Sequence, residues 1–219
     1  MNEIKKKDTR VVSYTSMAKG TREDYLLGRE IAKPFRAETA DRVLKYMDVM
    51  HDGFPGEQVD RYEHCLQTAT RAYRDGADEE TVVAGALHDI GDQLAPDNHA
   101  EFAATMLKPY VTPACWWMVQ HHAIFQGYFF WHHFDRDRYV RERFKNHFCY
   151  EKTKEFTDKW DSEAFDPKYD TMPIGFFEPM IRRIFAREPW GPHTKVDLDK
   201  VQVAGITADL TTAGAHVKK

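Results

Sequence analysis

Four imidazoles and two carboxylates are spaced through the apolar stretches of this chain: His64, His88-Asp89, His99, His122 and, late, Asp161. Polar groups of this kind are costly to bury without partners, so a fold that encloses the apolar residues around them must gather them or satisfy each one separately. His88-Asp89 constrains the chain most, because it closes the apolar run of Val82, Val83, Ala86 and Leu87. One backbone turn there offers a nitrogen to one metal ion and a carboxylate able to reach two. The whole set is enough to hold two metal ions side by side, with Asp89 bridging. A lone histidine is more often a hydrogen-bonded core residue than a ligand; the joint spacing favours ligation.

The remaining pattern is helical. Val43, Leu44, Met47 and Met50 recur at helical spacing until Gly53, Pro55 and Gly56 interrupt them. Val59, Tyr62, Leu66, Ala69 and Tyr73 mark the next helix, which ends near Gly76. Asp78 is placed to cap a helix that stops at Gly91, and Asn98 to cap one through Phe102, Ala103, Met106 and Leu107. Thr112-Pro113 is a cap followed by proline at the first helical position, opening a helix that runs to His121-His122. Charged helices are expected over 136–147 and 149–160, then a loop over 165–174 and a last helix from Phe177 to Phe185. The expectation is an all-α bundle that brings the ligand set together from helix ends. Residues 1–37 read as an N-terminal arm or short helix, 38–188 as the helical domain and 189–219 as a tail. Val201–Val203 is the one β-like run.

Composition narrows the partners. The 219 residues fit one domain with a decorated terminus. A formal net charge of −4 without a dense Lys/Arg cluster argues against nucleic acid. No apolar run approaches the ~20 residues of a membrane span, and Met1–Arg10 lacks the apolar core of a secretory signal. Cys65, Cys115 and Cys149 are odd in number and have no CxxC spacing. They read as reduced thiols of a cytoplasmic protein. The expected partner is a small-molecule substrate, with neither nucleic acid nor membrane; nothing in the sequence sets the oligomeric state.

His64, then His88-Asp89, then Asp161 resembles the signature of the HD-domain superfamily of all-α metal-dependent enzymes. There the resemblance implies that His64, His88, Asp89 and Asp161 ligate metal, and that His99 and His122 complete a second site. His122 is preferred to His121 because the segment His122-Ala-Ile-Phe-Gln-Gly-Tyr128 aligns best. Within the superfamily the sequence is similar to the mixed-valent di-iron oxygenases. It is closer to the dioxygenases that cleave 2-amino-1-hydroxyethylphosphonate and more distant from myo-inositol oxygenase. The likeness spans residues 54–161 and rests on Gly56-Glu57, Glu63-His64-Cys-Leu-Gln67, Asp75-Gly-Ala-Asp78, Leu87-His-Asp-Ile-Gly91 and Trp160-Asp161. It implies two iron ions, Fe2+/Fe3+, with O2 as co-substrate.

Departures from that branch bear on the substrate. Phe54 stands where those enzymes have an iron-binding tyrosine, and it has no ligand atom. Asp92 replaces a histidine that contacts phosphonate, Gln126 a lysine and Asp158 an arginine. Each change removes positive charge that a dianionic phosphonate would need. Glu57, which holds the substrate ammonium in that branch, is kept. Phe54, Glu57, Asp92, Gln126 and Asp158 are therefore the residues expected to face substrate. That substrate is expected to be hydroxylated and amine-bearing, not a phosphonate. The rival is a metal-dependent phosphohydrolase acting on a small phosphate ester or nucleotide. It would want cations around the phosphate, and the cyclic-dinucleotide phosphodiesterase relatives have a lysine at the position of Asp92.

Overall fold

A computed structural model describes residues 8–53 and 55–195. These contain eight α-helices and, among the described residues, no strand; Pro55 and Glu57 form one isolated bridge. None of the helices is long and apolar enough to cross a membrane. The chain separates into two compact units between Val43 and Leu44.

In the first unit, α1 (Arg22–Ala37) is fixed at its start by a reciprocal cap. The Thr21 hydroxyl accepts from the Asp24 N–H at 3.2 Å, and the Asp24 carboxylate accepts from the Thr21 N–H at 3.0 Å. Asp24 also accepts from the Ser13 N–H at 2.6 Å, so the segment before the helix is tied to its first turn. What reads as an arm or short helix in the sequence thus holds a 16-residue helix. The boundary between the units falls within α2 (Thr39–Met47), which continues as a 3-10 turn over Asp48–Asp52.

The second unit is built on α3 (Arg61–Arg74) and α4 (Glu79–Leu87), packed against each other. Asp60 caps α3 and Asp78 caps α4, each accepting an N–H from three residues on. Every residue of α4 from Thr81 to Leu87 is buried, with α3, α6 and α8 around it. An apolar character on all sides is what such a central helix requires. Gly85 permits the close approach: a Cβ there would lie 3.1 Å from the Ala69 backbone of α3. Helix α5 (His99–Leu107) packs on α6 (Pro113–Phe130), whose start is capped by Thr112 as expected. Trp117, Phe125, Cys149 and Tyr150 form a buried cluster between α6 and α7 (Tyr150–Glu155).

Several sequence expectations change. Helix α6 runs past His122 to Phe130, and α8 (Ile174–Phe185) begins before Phe177. The helix expected over 136–147 is replaced by one 3-10 turn, Val140–Phe144, which follows another at Trp131–Phe134. Asp135 takes a left-handed conformation (φ 54°), and Arg138 and Arg141 leave any helical stripe to stack on Tyr128 at 4.2 and 3.8 Å. The single helix expected over 149–160 is α7 followed by a π-helical turn, Phe156–Asp161. Phe177 and Trp117 are core residues, whereas Phe129 and Phe130 are exposed. All three cysteines are buried and unpaired to one another. Val201–Val203 lies outside the described residues.

Candidate metal centre

The six residues of the ligand set converge. His64 comes from the start of α3, His88 and Asp89 from the turn after α4, and His99 from the first position of α5. His122 lies midway along α6, and Asp161 ends the π-helical turn. Two groups result, each compact enough to hold an ion: His64, His88 and Asp161, and Asp89, His99 and His122. Asp89 stands between them. Its Oδ1 lies 3.3 Å from His99 Nε2 and 3.2 Å from His122 Nε2. Its Oδ2 lies 3.5 Å from His64 Nε2 and 3.4 Å from His88 Nε2. One oxygen therefore faces each imidazole pair.

Tautomers follow from the outward nitrogens. His64 Nδ1 lies 3.0 Å from the Ala164 carbonyl, His88 Nδ1 2.9 Å from that of Gly85 and His122 Nδ1 2.7 Å from that of Val119. His99 Nδ1 lies 3.2 Å from the Pro96 carbonyl. A carbonyl can only accept, so each Nδ1 carries the proton. All four neutral rings then turn bare Nε2 lone pairs inward, and His64 and His88 bring theirs to 3.2 Å of each other. Both oxygens of buried Asp161 lack a hydrogen-bond partner, although Oδ1 lies 3.2 Å from His64 Nε2 and 3.3 Å from His88 Nε2. Facing lone pairs around an orphaned carboxylate fit a cation. With metal–nitrogen bonds of about 2.1 Å, ligand atoms on one ion sit about 3.0–3.4 Å apart, close to the spacing seen here.

The electrostatics agree. Burial opposes charge on His88, but Asp89 and Asp161 outweigh it and raise its pKa well above the ordinary imidazole value. Burial likewise opposes ionisation of Asp161, and His88 and His64 overcome it, holding the carboxyl below its usual range. Asp89 is held down by His88, His122 and Arg61 against the same burial penalty. The pocket attracts positive charge. A third grouping, Cys65 with His88 and Asp89, is less apt. The sulfur sits 3.8 Å from His88 Nδ1, the nitrogen already committed to Gly85, and burial raises the thiol pKa.

Of the residues expected to face substrate, Glu57 and Asp92 lie beside the second group. Glu57 is exposed, and Asp92 Oδ1 lies 3.2 Å from His99 Nδ1. Burial and the Asp89 charge raise the Asp92 pKa. Gln126 is half-buried one turn after His122 on α6. The Asp158 carboxylate is taken up by Arg141 at 2.6 Å and Lys154 at 2.7 Å. Phe54 lies outside the described residues. His122, and not His121, reaches Asp89; His121 stacks on Trp117 at 3.9 Å.

Sequence reasoning missed Arg61 and Phe165. Phe165 stacks on the His64 ring at 4.4 Å. The Arg61 guanidinium meets Asp89, Asp92 and Glu57. Its signal was spacing: three residues before His64 on one helix face, and four after Glu57 in the segment before the helix. Among protein-family models, the HD domain matches residues 61–164, which include all six residues of the set. No curated protein matches the chain.

Proposed function

Taking residues 61–164 as an HD domain whose histidines and aspartates can gather metal, we propose that the chain is a two-metal oxygenase. In this reading it uses O2 to oxidise or cleave a small hydroxylated, amine-bearing substrate that is not a phosphonate. The observation that carries the reading is the Asp89 carboxylate, which turns one oxygen to each imidazole pair. His64, His88, Asp89 and Asp161 would hold one ion, and Asp89, His99 and His122 the other. Two bound irons, as an Fe2+/Fe3+ pair, would supply redox chemistry toward O2 and Lewis acidity toward a substrate hydroxyl.

The chain's own residues do the rest. The backbone carbonyls behind each imidazole fix its tautomer and direction. Complete burial of His64, His88 and Asp161 keeps bulk water from the inner group. His99 is partly exposed and marks the side from which substrate enters, past Asp92, Arg61 and Glu57. Glu57 would orient the ammonium, with Asp92 and Gln126 shaping the other end. At this mouth two carboxylates face one guanidinium, leaving one negative charge for a cationic substrate to meet. On that side Arg141 and Lys154 are already paired with Asp158, so neither is free for a dianion.

Anaerobic loading with iron, EPR of the partly oxidised protein and an O2-uptake screen of hydroxylated amines and polyols test the reading. Two irons per chain, a coupled mixed-valent signal and substrate-dependent O2 consumption are expected. Hydrolysis of phosphate esters with Mn2+ or Mg2+, and no O2 uptake with any screened compound, would replace this reading with a phosphohydrolase.

A further inference from the structure

We propose that Arg61 is a positioning residue that builds the mouth-side metal position, by fixing Asp89 directly and His99 through Asp92. The inference rests on the two-metal reading above. Arg61 occupies the first turn of α3, and its side chain is only 14% exposed. Its Nη1 donates to Asp89 Oδ2 at 3.0 Å, its Nη2 lies 3.3 Å from Glu57, and its Nε lies 2.6 Å from Asp92 Oδ2. One hydrogen bond to Asp89 and ion-pair contacts with Asp92 and Glu57, from two segments, hold the largely buried guanidinium, so it is an anchored and not a solvated cation.

Asp89 needs such an anchor. It sits in a turn beyond the end of α4, where its carbonyl accepts from the Asp92 N–H at 3.0 Å but the backbone does not fix the carboxylate. Its carboxylate could rotate about χ2 and offer both oxygens to one ion. Among the described residues, Arg61 is the one donor to this carboxylate from outside the candidate ligands. By holding Oδ2 on the α3 side, it leaves Oδ1 facing His99 and His122. The same guanidinium holds Asp92 Oδ2, and Asp92 Oδ1 lies 3.2 Å from His99 Nδ1. Arg61 thus stands behind two of the three members of the mouth-side group. The third, His122, is oriented independently by the Val119 carbonyl. In the inner group, Asp161 comes from the π-helical turn, and His64 and His88 are oriented by the Ala164 and Gly85 carbonyls. The consequence is asymmetric: losing Arg61 removes support from two of the three mouth-side members, but from Asp89 alone among the four that would hold the inner ion.

The test measures metal, not turnover. Mn2+ is titrated into the full chain, wild type, Arg61→Gln, Arg61→Lys and Asp92→Asn, with stoichiometry by elemental analysis and exchange coupling by EPR. Wild type is expected to hold two coupled Mn2+ ions. Arg61→Gln should weaken the second ion by about 10–100-fold, the usual effect of removing an outer-shell partner, and the first by less, since it is touched through Asp89 alone. The coupled signal should give way to that of a single ion. Arg61→Lys, which reaches one carboxylate at a time, should fall between, and Asp92→Asn should weaken the second ion with coupling kept at saturation. Two ions bound by Arg61→Gln with unchanged affinity and coupling, or equal weakening of both ions, overturns the role of Arg61. If Arg61→Gln does not fold, Arg61→Lys with wild-type binding of both ions overturns it. A single ion in wild type removes the two-metal reading and this inference with it.

Discussion

Replacing Trp160 by phenylalanine tests how Asp161 reaches the inner group. The π-helical turn Phe156–Asp161 carries one residue more per turn than the α-helix before it, and such turns persist only where something holds them. The Trp160 indole N–H donates to Asp75 Oδ2 at 2.8 Å, tying the turn to the end of α3. Asp75 is exposed and can re-solvate, so the lost hydrogen bond costs about 1 kcal/mol. Trp160 itself is buried, and the two ring carbons that phenylalanine lacks remove about 1.6 kcal/mol at ~0.8 kcal/mol per buried carbon. The total of about 2–3 kcal/mol corresponds to a fall of about 4–12 °C in Tm for a protein of this size. The metal effect is separable from the melting effect. If the turn relaxes toward α-helix, Asp161 rotates away from His64 and His88, and the inner ion loses a ligand. Calorimetry of the metal-free protein and chelator-competition titration should show the Tm fall together with at least tenfold weaker binding of the inner ion. A Trp160→Phe protein that melts lower but binds both ions as wild type does would show that Trp160 only fills space and that the turn holds without it.

Other consequences follow from the charge and ligand inventory. 2-Amino-1-hydroxyethylphosphonate is expected to be a poor substrate, because Asp92, Gln126 and Asp158 stand where basic residues would bind its phosphonate; efficient O2 consumption with phosphate release would refute this. Phe54 cannot coordinate iron, so the ferric protein should lack a tyrosinate-to-iron charge-transfer band in its visible spectrum, and a band would point to another tyrosine such as Tyr14, Tyr25 or Tyr62. Hydrogen bonds from the Ser13 and Thr21 N–H groups lower the Asp24 carboxyl to about 2. Because the folded value lies below the unfolded one, its stabilisation of the first unit is complete above pH ~4 and is lost as pH falls through about 2. A carboxyl NMR titration should place the Asp24 midpoint there, and a midpoint near the unperturbed value would refute the capping argument.

The parts legible in the sequence share a cause: each is decided within a few residues. Asp78 and Thr112 act as caps because a cap needs only the next three residues, although Asn98, read the same way, makes no side-chain cap to α5, and the burial of α4 shows in its unbroken apolar run. The ligand set was legible because costly polar groups interrupt apolar stretches, and the fold brings all six of them together. What stayed hidden depends on contacts between distant segments. The π-helical turn is tied to Asp75, far back in the chain, so 149–160 reads as plain helix. Arg61 looks like an ordinary cation in a polar first turn until the turn after α4 brings Asp89 and Asp92 to it. The stretch 136–147 has the charge pattern of an exposed helix, yet Tyr128 draws two of its arginines away. Reading charge position by position fails for the same reason. Asp158 marks a lost arginine in the sequence, but Arg141 and Lys154 approach it from other turns of the chain. A cation missing at one position can return from another element, so the substrate argument must count whole surroundings. Around Asp158 two cations are already engaged by its carboxylate, and at the mouth Glu57, Asp92 and Arg61 still leave one negative charge. That remaining charge, more than the identity of any single residue, is what the phosphonate experiment measures.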